Sequence, residues 1–127
     1  MMTLSKRYPR SNCPIATTLD LVGDRWSLII IRDMMNGKSR FGDFLKSPEH
    51  ITTNVLTDRL AVMEQMKLVR KTPYQRKPLR FDYVLTERGM SLLPVLQEVC
   101  RWANRHVPKT WKPPKRFMKL TVDDLKN

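Results

Sequence analysis

The chain has 127 residues, 41% of them apolar, with ten aromatics and a formal net charge of +12. This is enough for one hydrophobic core and too apolar for a disordered chain. Such an excess of cations points to a polyanionic partner, nucleic acid first and an anionic membrane surface second.

The stretch Met1–Arg10 lacks the apolar centre of a signal peptide, and the longest apolar run, Leu28 to Ile31, is far too short to cross a bilayer. Two cysteines, Cys13 and Cys100, make no disulfide framework. Together these predict a reducing, cytoplasmic setting and weaken the membrane reading. Residues 1–12 read as an N-terminal arm.

Cys13-Pro14 opens a first helix, proline standing where its missing N–H costs nothing and Cys13 taking the N-cap. Ile15, Leu19 and Val22 share a face until Gly23 stops the run. A second helix follows Asp24, with Trp26, Ile29, Ile30 and Asp33 along one side and Leu28, Ile31 and Met35 on the flank. A helix apolar nearly all round belongs at the centre of a fold. Asn36-Gly37 ends it.

A short third helix spans Arg40 to Lys46, anchored by Phe41, Phe44 and Leu45, and Ser47 to His50 form a turn. Thr52 then caps a fourth helix running to about Met66, with Ile51, Leu56, Leu60 and Met63 turned inward. Leu68–Thr72 and Phe81–Leu85 read as paired strands, Phe81, Tyr83 and Leu85 alternating toward one face. Pro73 and Pro78 fit only a strand edge or a loop. Between the strands, Gln75–Arg80 carries three cations and no anion.

A last helical stretch begins at Thr86-Glu87 and is divided near Gly89 and Pro94. Leu93, Leu96, Cys100, Ala103 and Val107 form one stripe on it, and Leu92, Val95, Val99 and Trp102 another. That is more apolar width than one small core absorbs, so part of it should meet another subunit. The basic, Pro-rich tail over 109–127 has no helical period and reads as an extended arm or disorder.

Helices, a turn, a polar helix and a basic hairpin make a mainly α fold with a small β-hairpin wing, a winged helix-turn-helix laid out for duplex DNA. Opposite its core stripe the fourth helix carries Asn54, Asp58, Ala61 and Gln65, with Thr53 and Thr57 at the edge of that face. Asn54 suits adenine, Thr57 a thymine methyl or a phosphate, and Asp58 the cytosine amino group. Thr52 offers a hydroxyl and a helix N-terminus to phosphate, and Arg59 a guanidinium from the flank. Arg76, Lys77 and Arg80 at the loop tip, with Arg70 and Lys71 at its base, suit a phosphate backbone or the minor groove.

Two readings of Cys13 stand: a small residue filling a cap, or a thiolate favoured by the helix N-terminus and by nearby Arg10 and Lys6. Cys100, within an apolar stripe, reads as a buried hydrophobe. His50 and His106 are isolated, no glycine loop can cradle phosphate, and no metal site or cofactor is expected. Nothing in the spacing supports an enzyme.

Cys13-Pro14-Ile15 and the run Leu19 to Arg32 resemble the opening signature of the HxlR-type transcriptional regulators, winged-helix relatives of the MarR group. The resemblance continues through Arg40–Leu45, Leu56–Leu60, Tyr83–Thr86 with Gly89, Leu92–Leu96 and Trp102, covering about residues 13–108. It implies a cytoplasmic homodimer joined by the first and last helices, with Ile15, Leu19, Leu93, Leu96, Cys100, Ala103 and Val107 at the interface. It also implies a sequence-specific regulator on a palindromic operator, responsive to small electrophiles or oxidants, with Cys13 matching the sensor of some members. This chain has no second cysteine near its reading helix, and Asp58 is an anion where many relatives are neutral or basic. A basic RNA-associated module is the remaining alternative.

Overall fold

The computed structural model describes residues 10–126. Most of the expected N-terminal arm, including Lys6, lies outside the described residues. Five elements precede the hairpin's second strand: helices α1 (Pro14–Val22), α2 (Ser27–Met35), α3 (Phe41–Phe44) and α4 (Thr53–Gln65), then strand β1 (Val69–Arg76). Strand β2 (Leu79–Leu85) is followed by α5 (Glu87–Met90), α6 (Leu93–His106), α7 (Lys115–Lys119) and α8 (Val122–Leu125).

Helix α2 is central, as its nearly all-round apolar pattern requires, with Ile30, Ile31, Met34 and Met35 buried. Around it pack Phe44 of α3, Leu56, Leu60 and Met63 of α4, and Leu85 of β2. Helix α4 starts where its cap predicts: the Thr52 hydroxyl accepts from the Val55 amide at 3.4 Å. Helix α3 is shorter than the expected 40–46 segment, since after Phe44 the chain bends into the tight turns that lead to Ser47 and His50.

The strands pair antiparallel from Val69↔Leu85 to Arg76↔Leu79 and so run longer than the sequence suggests. The expected six-residue loop shrinks to Lys77-Pro78, joined by a cis peptide. Pro73 sits inside β1, beside an irregular register that leaves Tyr74 without a partner. A two-stranded ribbon has only edge strands, so the N–H that proline lacks need not be missed. The ribbon is fastened to the helices by a short third segment: Arg40 bridges Asp82, and the Tyr83 amide donates to the Ser39 carbonyl at 2.7 Å.

Thr86 caps α5 and also donates to the Lys67 carbonyl at 2.6 Å. Gly89 is fixed by closeness: a Cβ there would lie 2.2 Å from the Leu68 carbonyl oxygen and 2.9 Å from Leu85. On α6 the Leu93, Leu96 and Gln97 side faces α2 and is buried. The interface expected at Leu93 and Leu96 is therefore corrected, because both side chains belong to the subunit's own core. Val95, Val99 and Trp102, from the flanking stripe, are the exposed apolar residues of this helix, and Val107 is exposed beyond its end.

The tail also differs from expectation. It is extended through 110–114 but then forms α7 and α8, and Phe117, 3% exposed, is part of the core. The buried Gln97 amide holds it, donating to the Phe117 carbonyl at 3.1 Å, the Met118 carbonyl at 3.4 Å and the Leu120 carbonyl at 2.9 Å. Asn104 adds bonds to the Thr110 hydroxyl and the Trp111 carbonyl at 3.0 and 2.9 Å. A docked tail makes Phe117→Ala costly. Urea unfolding at fixed protein concentration should show a loss of about 3 kcal/mol, whereas a free arm would give no change.

Candidate nucleic-acid interface

Burying Leu56, Leu60 and Met63 turns the other side of α4 to solvent, where Thr53, Asn54 and Thr57 are exposed and Asp58 is half-buried. Thr57 donates its hydroxyl proton to the Thr53 carbonyl at 2.9 Å, which steadies the side chain and leaves an oxygen lone pair unused. These residues occupy the first two turns, the part of a recognition helix that reaches base edges.

The approach of α4 is set from behind by charges that sequence reading passed over. Arg32 of α2 donates from Nη1 and Nη2 to the two carboxylate oxygens of Glu49, at 2.8 and 2.9 Å. It also donates from Nε and Nη2 to Asp33, at 3.0 and 2.9 Å. Buried Asp33 in turn accepts from the Ser47 hydroxyl. Glu49 holds the Arg32 pKa above its ordinary value, and Arg32 holds that of Glu49 below its own. The network ties α2 to both ends of the turn between α3 and α4. His50 completes that turn at φ 61°.

Arg59 does not resemble the other candidates. Its side chain is 16% exposed, and Nε lies 3.4 Å from Asp24 Oδ2. The guanidinium points toward the start of α2 rather than outward with Asn54.

On the wing, Arg76, Lys77 and Arg80 at the tip and Arg70 and Lys71 below are exposed, and among the described residues none joins an ion pair. Lys71 Nζ lies 4.7 Å from the Phe81 ring centroid. Asp82, the one carboxylate of the ribbon, is occupied at its base by the Ser39 hydroxyl at 2.9 Å and Arg40 Nε at 3.3 Å. Arg40 also stacks 3.7 Å over the Tyr74 ring. The outer ribbon is left with unneutralised positive charge.

Cys13 caps α1 with its thiol exposed and makes no cap hydrogen bond. The amides of Ala16 and then Ile15 still draw its pKa below the ordinary value. Arg10 does not assist as expected: Nε pairs with Asp20 at 2.9 Å and Nη2 donates to the Ala16 carbonyl at 3.2 Å. Cys100 is half-buried, and burial pushes its thiol pKa up.

The HxlR-like helix-turn-helix model matches residues 21–111. The chain belongs to that family. Over 94 residues it is 34% identical to YdeP, an HTH-type transcriptional regulator of Bacillus subtilis, covering 74% of this chain and 73% of YdeP. Among solved structures, the redox regulator HypR in its reduced form superposes with a TM-score of 0.69 at 33% identity, covering 78% of this chain and all of HypR. Quinone-bound YodB from B. subtilis superposes at 0.62 with 32% identity, covering 73% and 98% of the two chains.

This HxlR-family chain is therefore a winged helix-turn-helix, DNA-binding transcriptional regulator and not an enzyme. Among the described residues no group of His, Cys, Asp and Glu could hold a metal ion, and no helix is long and apolar enough to cross a membrane. The two thiols should separate by pH. Iodoacetamide labelling of Cys13, followed by mass spectrometry, should rise at lower pH than for an ordinary thiol, and that of Cys100 only at higher pH.

Proposed function

We propose that this HxlR-family regulator binds a palindromic operator as a homodimer, each α4 reading a major groove and each wing gripping the flanking backbone. The supporting observation is that the exposed polar first turns of α4 and the unpaired wing cations occur on one small chain of net charge +12. Thr52 and the free amides behind it suit a phosphate, Thr53 the edge of the contact, and Asn54, Thr57 and Asp58 the bases. Arg76, Lys77 and Arg80 suit the sugar–phosphate rails. Half-sites would then stand about 34 Å apart, or a multiple of that. Membership of a family of transcriptional regulators supports a cytoplasmic setting, where DNA is met.

Pairing is supported by apolar surface that stands exposed among the described residues. Ile15 and Leu19 on α1 are 72% and 56% exposed, and Trp102 on α6 is 62% exposed. A groove of about 600 Å³ lies between α2, α6 and the tail, with Leu28, Ile29, Val99, Cys100, Ala103 and Trp111 in its wall. The α1 face of a second copy, apolar and one helix wide, is the occupant this groove suits. Val107, just past the end of α6, is also exposed.

Cys13 favours a second function of the same fold, as a sensor of small electrophiles or oxidants. Its exposed thiol and lowered pKa support this, as does likeness to HypR, a redox regulator, and to YodB, solved with a bound quinone. A Cys13→Ser protein that still released DNA on oxidation would dismiss the role.

Duplexes selected from a random pool test the main reading. Asn54→Ala and Thr57→Ala should lower preference for the selected sequence by about tenfold to a hundredfold per lost base contact. Arg76→Ala and Lys77→Ala should weaken binding to every duplex and reduce the log–log salt slope by about 0.9 each. Leu19→Lys should sediment as a monomer. A wild-type monomer without preference among duplexes would overturn the reading.

A further inference from the structure

Arg59 lies on the reading helix yet is turned from the face that reads. At about 100° per residue, Arg59 falls roughly 140° around α4 from Asn54, measured the shorter way. Its side chain is 16% exposed, too covered for the open approach a phosphate needs. Nε faces the Asp24 carboxylate, and Asp24 has other duties. Oδ2 accepts from the Trp26 amide at 2.9 Å and the Ser27 amide at 3.0 Å, while Oδ1 accepts from the Ser27 hydroxyl. Asp24 thus caps the start of α2 with its side chain, although it lies two residues before the N-cap position, Trp26.

The residue before Asp24 closes α1. The Gly23 amide donates to the Leu19 carbonyl at 2.8 Å, and a Cβ on Gly23 would lie 2.4 Å from that oxygen. The start of α2 and the second turn of α4 therefore meet at one carboxylate, which the chain carries just past the end of α1. Both partners are largely covered, at 16% and 29% exposure, so losing either leaves the other charged and poorly solvated.

We propose that Arg59 is a positioning residue rather than a DNA contact: pairing with Asp24 locks α4 to the α1–α2 junction and sets the angle at which Asn54 and Thr57 meet the bases. This replaces the flank contact expected of Arg59 from sequence, and it rests on the reading of α4 as the base-reading helix. The two roles differ in what salt does. A phosphate contact contributes a released counterion and a share of the salt slope, whereas an internal pair contributes none.

The experiment compares Arg59→Ala, Arg59→Lys, Asp24→Asn and Asp24→Asn/Arg59→Ala in the full-length protein. Asparagine removes the charge but keeps an oxygen for the two α2 amides, and the Ser27 hydroxyl can turn to accept from the new NH2 group, which guards against loss of the fold. Each variant is measured for affinity to the selected duplex and to a scrambled one across a salt series. Amide hydrogen exchange without DNA is followed in parallel.

The expected result is that Arg59→Ala and Asp24→Asn each lose about tenfold of sequence preference, with the double variant no worse than either. The salt slope stays that of the wild type, Arg59→Lys recovers part of the preference, and exchange speeds up within 53–65 in both single variants. A flatter slope in Arg59→Ala alone, with Asp24→Asn like the wild type, would overturn the proposal in favour of a phosphate contact. Full preference in both single variants would overturn it as well. Exchange keeps this test separate from the larger one. If the wild type shows no preference among duplexes, the DNA reading fails, and unchanged exchange would still reject the lock by itself.

Discussion

A carboxylate buried on a central helix must find partners or be neutralised, and meeting that demand for Asp33 fixes the geometry of the helix-turn-helix. Asp33 sits among the core residues of α2 and is served by Arg32 beside it and by the Ser47 hydroxyl. Arg32 then engages Glu49 with the two-pronged geometry that guanidinium and carboxylate share. Ser47 and Glu49 both belong to the turn before α4. Apolar packing of Leu56, Leu60 and Met63 would hold α4 against α2 but would tolerate sliding and rotation. The ionic network restrains the turn that leads into α4, because its hydrogen bonds have one good register. A helix that is to match side chains to base edges needs this directional kind of restraint.

The wing poses the opposite problem. Two strands alone are marginally stable in water, and five exposed cations on one ribbon repel each other. Ser39 and Arg40 fasten the ribbon base, through the backbone bond to Tyr83 and the bonds to Asp82. Asp82 is thereby spent on architecture and leaves the outer cations without an acidic neighbour. Tyr74 and Phe81 lie beneath Arg40 and Lys71, so the aliphatic stems and cationic heads rest on aromatic faces. Repulsion among the outer cations is relieved when a polyanion arrives, so the strain of the free state favours the bound one.

Much of this was legible locally. The apolar run of α2, the Thr52 cap, the inward stripe of α4 and the alternating strands each declare themselves within a dozen residues. What escaped was decided by contacts distant in sequence. Arg59 looks like any cation on a polar helix until Asp24, on another element, is brought beside it. The two stripes of α6 have the same three- and four-residue spacing, and only the position of α2 determines that Leu93 and Leu96 turn inward while Val95, Val99 and Trp102 remain outside. In the tail, Phe117, Met118, Leu120, Val122 and Leu125 are broken up by lysines and short turns, so no helical period survives. Its anchor is Gln97, twenty residues before Phe117 and polar in type. Asp33 was the one distant contact with a local signal, since a carboxylate on an otherwise apolar helix demands a partner.

Charge is distributed in a way that bears on pairing. A net charge of +12 opposes any association between copies, yet α1 carries a single ionisable side chain from Pro14 to Val22, Asp20, and that is held by Arg10. The cations are concentrated in the wing and the tail instead. Repulsion over such separations is screened within about 8 Å at physiological ionic strength, whereas apolar burial is not weakened by salt. Raising salt therefore acts in opposite directions on the two associations proposed for this chain. It eases the approach of two α1–α6 faces by screening their like charge, and it weakens the grip on DNA by reducing the gain from counterion release. The same cations would thus disfavour the proposed pairing in free solution, and DNA, by neutralising the wings, would favour it.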